Sequence, residues 1–209
     1  MSMNSFYHAI ADAVAATSAM EWIAIVTALI YVVLAARESS WCWIFGIVSA
    51  GIYVWFNFSL GLPMDAWLSV YYCAVGIYGW YAWVAGKNNS GNSPLTLHRM
   101  TIKSFFLALL AGTAGTFGLA QISIHFTKSP VPYFDAALTS FSLVATWMTA
   151  RKILENWLFW IVIDAAYILL YAIRHAPSTA TLYFIYTIIA IFGFLKWRKK
   201  LLISAALPS

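Results

Sequence analysis

The sequence predicts an all-α polytopic membrane protein with seven transmembrane helices. Three observations carry that expectation. Of 209 residues, 63% are hydrophobic and only 9% are charged, against roughly 25% charged in an average soluble domain. The apolar residues gather into seven stretches, each close to the ~20 residues that a bilayer core asks of a helix. Polar or charged breaks separate them. A soluble domain of this size could not cover its surface with so few charges, which disfavours a soluble enzyme, a disordered chain or a disulfide scaffold.

The elements follow in order. Residues 1–19 hold Asp12 and no Lys or Arg, so the positive start of a cleavable signal peptide is missing; residues 4–19 read as a moderately amphipathic helix. Spans are expected at 20–36, 41–59, 63–85, 103–123, 134–150, 156–174 and 178–197. Arg37-Glu38-Ser39-Ser40 ends the first, and Gly61-Leu62-Pro63 parts the second from the third. Residues 86–103, rich in Gly, Asn and Ser, form the longest loop. Lys128–Pro132, Arg151-Lys152 and His175-Ala176-Pro177 supply the remaining breaks. By domain, 1–19 is the N-terminal amphipathic segment, 20–85 a first three-helix repeat, 86–133 a cytoplasmic loop with linker helix four, 134–200 a second three-helix repeat and 201–209 a cytoplasmic tail. Cys42 and Cys73 lie in apolar runs and read as small core residues.

Seven spans place the two termini on opposite sides. Lys128 and Arg174 fall on the side of the N-terminus, and the other ten basic residues on the opposite side. The positive-inside rule makes the ten-charge side cytoplasmic, with the N-terminus outside and the basic C-terminus inside. The net charge of +5 is therefore a topological anchor rather than a nucleic-acid patch.

Shifted by 114 residues, 36–83 falls on 150–197 without a gap, with 14 identities in 48 positions. Trp43, Tyr53, Pro63, Tyr72, Gly79 and Trp83 match Trp157, Tyr167, Pro177, Tyr186, Gly193 and Trp197. The offset spans an even number of helices, so both repeats enter the membrane in the same sense. Parallel repeats occur in secondary transporters, with the site at the repeat interface near mid-membrane. A 3+1+3 parallel arrangement resembles the SWEET sugar-transporter fold. Pro63 and Pro177 read first as ordinary helix N-termini and second as flex points.

An ionisable residue in mid-span is expensive and a functional candidate by default. Glu21, Glu38, Asp65, Asp135 and Glu155 lie near span ends; Asp164 lies in the middle of span six. Trp157, Trp160, Asp164, Tyr167 and Tyr171 step by three and four, so they share one helix face. Aromatic faces with one carboxylate suit a flat organic cation, through cation–π attraction and charge balance. A carboxylate bonded to a neighbouring hydroxyl and an interfacial aromatic belt are the packing alternatives. The first repeat offers Trp43, Gly46, Ala50, Tyr53 and Asn57 on its equivalent face, so the two halves differ chemically and suit an asymmetric ligand. Tyr72 and Tyr186, with Thr139, Ser140, Ser142 and Thr146 on span five, could add hydroxyls. The candidate substrate-binding set is thus Trp157, Trp160, Asp164, Tyr167, Trp43, Tyr53, Asn57, Tyr72, Tyr186 and Thr139. No catalytic or metal-binding spacing is present, and no cofactor is expected. His8, His98, His125 and His175 scatter near span ends as surface or interface residues.

The stretch Thr149 to Trp160 (TARKILENWLFW), followed by Asp164, together with Tyr78-Gly79-Trp80-Tyr81-Ala82-Trp83, resembles the PnuC family of vitamin transporters. The resemblance runs from the first span to Trp197. It implies seven spans in a SWEET-like fold in a bacterial inner membrane. It also implies passive uptake of nicotinamide riboside, trapped by a cytoplasmic kinase for NAD biosynthesis. Trp157, Trp160 and Asp164 would carry over as ligand-binding residues. Nicotinamide riboside carriers of the family often have Asn where this chain has Asp164. Thiamine, also a ring-bearing cation, is the alternative substrate. A membrane sensor or assembly subunit that binds the vitamin without moving it is the alternative of another class. A homo-oligomer is compatible with the sequence.

Overall fold

In the computed structural model, residues 18–59, 63–88, 95–126, 131–174 and 176–206 are described. Among them run seven helices: α1 Ala19–Ala36, α2 Cys42–Ser59, α3 Pro63–Asn88, α4 Ile102–Phe126, α5 Pro132–Ala150, α6 Asn156–Ile173 and α7 Pro177–Ala206. The amphipathic segment expected over 1–19 lies, up to residue 17, outside the described residues. Helix starts fall where local chemistry puts them. Ser18 caps α1: its hydroxyl accepts from the Glu21 N–H, and the Glu21 carboxylate accepts from the Ser18 N–H, a reciprocal capping box. Helices α3, α5 and α7 each begin at a proline, whose missing N–H is no loss in a first turn.

Helix α7 departs from the expected bounds. It runs on to Ala206, so part of the expected tail is helical. The basic residues around 196–200 are good helix formers, and a helix leaving a bilayer has no reason to stop there.

Five of the helices (α1, α2, α4, α6 and α7) are long and apolar enough to cross a membrane by length and composition. Helices α3 and α5 are more polar, α3 through its many Tyr, Trp and Gly residues and α5 through hydroxyls that face inward. On α5, Ser140, Ser142, Thr146 and Thr149 are buried. Ser142, Thr146 and Thr149 donate to carbonyls one turn back, and Ser140 donates to the Gly112 carbonyl of α4. Each hydroxyl is satisfied within protein, which a low-dielectric surrounding demands. The outside is apolar: Trp55, Trp67, Phe106, Val162 and Phe192 are all exposed, a surface that suits lipid and not water.

Helix α1 packs on α2, α2 on α3, α5 on α6 and α6 on α7; α1 also meets α7, and α3 meets α5. Helices α1 to α3 and α5 to α7 each pack in chain order, and the two sets meet where α1 touches α7 and α3 touches α5. Helix α4 packs chiefly on α5.

Positions 114 apart adopt the same local geometry. The turn after α1 and the turn after α5 both carry a left-handed residue, Glu38 and Lys152, each at φ 55°. Each turn closes with the paired hydrogen bonds of a Schellman cap: Ser39 N–H to Leu34 and Glu38 N–H to Ala35, Ile153 N–H to Met148 and Lys152 N–H to Thr149. The tryptophans repeat the correspondence. Trp43 meets Trp83 edge-on at 5.6 Å between centroids and 89°, and Trp157 meets Trp197 at 5.4 Å and 89°. Both Trp43 and Trp157 lie flat on a glycine, Gly79 and Gly193, where an added Cβ would come within 2.4 Å and 2.7 Å of the indole. These rings, with buried Cys42, form the main core cluster.

The end of the molecule that bears these turns is tied together by polar contacts. Lys200 pairs with Glu38, and Lys152 sits 4.9 Å over the Trp83 ring. The loop before α4 is pinned to the α5–α6 turn. His98 N–H donates to Lys152 and Leu154 N–H donates to His98, while Glu155 receives the Met100 N–H and pairs with Arg99.

Candidate functional site

Among helices α1, α2, α3, α5, α6 and α7 lies a cavity of about 310 Å³, within the range of small-molecule sites. Helix α6 supplies Trp157, Trp160, Asp164 and Tyr167; α2 supplies Trp43, Gly46, Ser49, Ala50 and Tyr53. Helix α3 adds Ser69, Tyr72 and Gly76, α7 adds Tyr183, Tyr186 and Ala190, and α5 adds Ser142, Thr146 and Thr149. Tyr31 of α1 closes one wall.

Asp164 is 3% exposed. Among the described residues its carboxylate makes no hydrogen bond and no ion pair. The other acids among the described residues are placed differently. Glu38, Asp135 and Glu155 pair with Lys200, Arg174 and Arg99; Glu21 caps α1; and Asp65 is in the first turn of α3. A buried carboxylate without a base is the most expensive polar group a membrane protein can carry, unless something charged or a proton joins it.

The cavity wall is aromatic on two levels. Trp157 is buried in the core, its indole against Gly193 and Trp197, so it has a packing role as well as a face on the cavity. Trp160 is half-buried, and its Nε1–H points to the Thr149 hydroxyl at 3.5 Å. Towards the C-terminal end of α6, Tyr167 stacks on Tyr183 at 4.4 Å and 20°, and Tyr171 stacks on Tyr183 at 5.6 Å and 11°. Tyr186 meets Tyr183 edge-on. Beyond this stack, Arg174 makes a two-oxygen ion pair with Asp135, joining the last turn of α6 to the first of α5.

Eight of the ten residues singled out from sequence share this cavity: Trp43, Tyr53, Tyr72, Trp157, Trp160, Asp164, Tyr167 and Tyr186. Asn57 is outside the lining and turns to the Ser69 hydroxyl at 3.5 Å. Thr139 is outside it too and faces the Tyr167 side chain from α5. Ser140 is turned away, to α4. Tyr31, Ser49, Ser69, Thr149 and Tyr183 are lining residues that the sequence reading did not single out. Two helices carried a sequence signal for two of them, Ser69 and Tyr183. Ser69-Tyr72-Gly76-Gly79-Trp83 and Tyr183-Tyr186-Ala190-Gly193-Trp197 are stripes of one helix face, 114 residues apart, in the step pattern of the Trp157–Tyr171 stripe.

Apolar helices of membrane-spanning length around an aromatic-walled cavity, with a buried acid in its lining, are features suited to proteins that bind small polar solutes within the bilayer. The comparisons narrow this. The family model described as nicotinamide mononucleotide transporter matches residues 18–199, and the chain belongs to that family of membrane transporters. Among its relatives is the nicotinamide riboside transporter PnuC of Escherichia coli (strain K12), 23% identical over 203 residues and covering 85% of this chain and 84% of that protein. The PnuC of Haemophilus influenzae is 25% identical over 185 residues, covering 85% and 80%. The riboflavin/roseoflavin transporter RibM of Streptomyces davaonensis is 25% identical over 170 residues, covering 81% and 79%. The crystal structure of the vitamin B3 transporter PnuC matches the fold with a TM-score of 0.68 at 21% identity, covering 86% of this chain and 80% of that one.

Proposed function

We propose that this chain is a facilitative carrier of nicotinamide riboside in a bacterial inner membrane, feeding NAD biosynthesis, with a cytoplasmic kinase trapping the vitamin after entry. The observation that carries this reading is Asp164, buried and without a base, facing a cavity of about 310 Å³ beside Trp157 and Trp160. Nicotinamide riboside brings a flat cationic ring and a hydroxyl-rich sugar. The ring would stack on an indole near the carboxylate, and the Ser142 and Thr146 hydroxyls suit the sugar. The names of the PnuC relatives support the same substrate.

The name of the RibM relative points to riboflavin, whose ring system carries no positive charge. Asp164 favours a cation over it. Thiamine is the second reading, since it too is a ring-bearing cation.

For the mechanism, the proposal is a 3+1+3 parallel repeat in the SWEET manner, with α1–α3 and α5–α7 rocking about the cavity and α4 as the connector. Matched Schellman turns, matched Trp–Gly seats and the packing of α4 chiefly on α5 support it. No ion need be coupled, because trapping alone makes uptake one-way.

Uptake of radiolabelled nicotinamide riboside into proteoliposomes, without any ion gradient, tests the proposal. Saturable entry, competed by unlabelled nicotinamide riboside and not by riboflavin, is the expected result. Entry of thiamine alone would replace the substrate. Saturable binding without entry would make the protein a sensor.

A further inference from the structure

We propose that Thr149 and Asn156 are positioning residues that hold the Trp160 indole as the stacking surface of the cavity. This rests on the reading of the cavity as a solute site. Both residues are almost fully buried, Asn156 at 0% and Thr149 at 2% exposure. Asn156 is the first residue of α6, one turn before Trp160 on the same side of the helix, and Thr149 is in the last turn of α5.

The hydrogen bonds run in one direction. The Asn156 amide Nδ2 donates to the Ile153 carbonyl, which turns Oδ1 towards Thr149. The Thr149 Oγ1 proton faces both Asn156 Oδ1 at 3.0 Å and the Ala145 carbonyl at 2.9 Å. With its proton committed, Oγ1 has lone pairs left for the Trp160 Nε1–H at 3.5 Å. An indole has two free torsions, and one hydrogen bond to its N–H fixes the ring plane within the pocket.

The internal repeat supplies an independent observation. At the positions 114 residues earlier, Trp160 corresponds to Gly46, Thr149 to Ala35 and Asn156 to Cys42. The half of the molecule that lacks the indole lacks both of its supports, although the turn geometry around them is the same in both halves. A pair kept only to close the α5–α6 turn would be expected in the matching α1–α2 turn as well. The polar pair accompanies the ring and not the turn.

A double-mutant cycle on the full-length protein tests this, with nicotinamide riboside as the titrant in calorimetry. Thr149→Val removes the hydroxyl at nearly constant shape, Thr149→Ser keeps it, and Trp160→Phe keeps a ring but removes the N–H. Thr149→Val is expected to raise Kd about fivefold, the size of one ordinary hydrogen bond, and Thr149→Ser less than about twofold. In the Trp160→Phe background the Thr149→Val effect should fall below about twofold, because the partners act as a unit. An equal loss in both backgrounds, or no loss in either, would overturn the proposal. The ligand-free indole ¹⁵N–¹H resonance of Trp160, assigned by its disappearance in Trp160→Phe, gives a second readout. It should move in Thr149→Val and stay in place in Thr149→Ser. If the wild type binds no nicotinamide riboside, the substrate reading falls, and this resonance alone decides the positioning role; an unmoved resonance overturns it.

Discussion

Replacing Asp164 by Asn keeps the shape of the side chain and removes its charge. The carboxylate is buried with no base among the described residues, so a cation that enters the cavity meets no competing partner for it. A hydrogen bond to a charged group is worth about 1 kcal/mol more than a neutral one. Asp164→Asn should therefore weaken nicotinamide riboside and thiamine about five- to tenfold. Binding of any ligand without a positive charge should change little. Calorimetric titration of wild type and variant with each vitamin checks this. A uniform loss across cationic and neutral ligands would show that Asp164 supports the fold and not charge recognition. The sequence made this residue conspicuous, because a carboxylate in mid-span needs a partner and none is near it in the chain. Thr149 was less visible. A threonine at a helix end is common, and only the folded chain brings its hydroxyl to an indole eleven residues away.

Within the helices, the glycines sort by what lies above them. At Gly79 and Gly193 an added Cβ would reach the indoles of Trp43 and Trp157, both locked in the core. Gly79→Ala and Gly193→Ala should each destabilise by about 1–3 kcal/mol, as overpacking does. Nothing lies within 4 Å of a Cβ at Gly51. Gly51→Ala should gain a few tenths of a kcal/mol to about 1 kcal/mol from helix propensity. Thermal midpoints in detergent would rank the three variants, and equal midpoints for Gly51→Ala and Gly193→Ala would contradict the seat. The starts of these helices were legible to within two residues. Ser18 with Glu21, and the prolines 63, 132 and 177, mark first turns by chemistry that is local to the chain. The end of α7 was not legible, because charged residues that leave a membrane stop a hydropathy pattern without stopping a helix.

For the whole molecule, the distribution of charge predicts orientation. The ten-charge side carries the α1–α2 turn, the loop before α4, the α5–α6 turn and the basic end of α7. Contacts among Glu38, Lys200, Lys152, Trp83, Arg99 and Glu155 gather at these turns. A fluorescent protein fused after Ser209 should mature and fluoresce in intact cells, because the rule places that end in the cytoplasm. A dark fusion that becomes active as a periplasmic phosphatase fusion would invert the topology. The tyrosine stack with the Arg174–Asp135 pair and the polar ties at the other end are the contacts that the proposed rocking motion would act on.

What the sequence determined by itself was periodic or local: seven apolar stretches, their caps, the gathering of basic residues at alternate breaks, and a repeat visible as Trp, Tyr, Gly and Pro at a fixed offset. A hydrophobic span must satisfy its own backbone, so it has to be a helix wherever it packs. Its inward face can then be read from spacing, which brought eight of the ten chosen residues to one cavity. The tertiary structure decided which equally spaced hydroxyls and rings meet. Asn57 turned to Ser69 and Ser140 to α4, while Tyr31, Ser49 and Thr149 came to the cavity wall. Spacing fixes a side chain's angle around its own axis. The rotation and approach of neighbouring helices are set by packing between residues far apart in the chain, as where Gly79 and Gly193 let the rings of Trp43 and Trp157 lie flat.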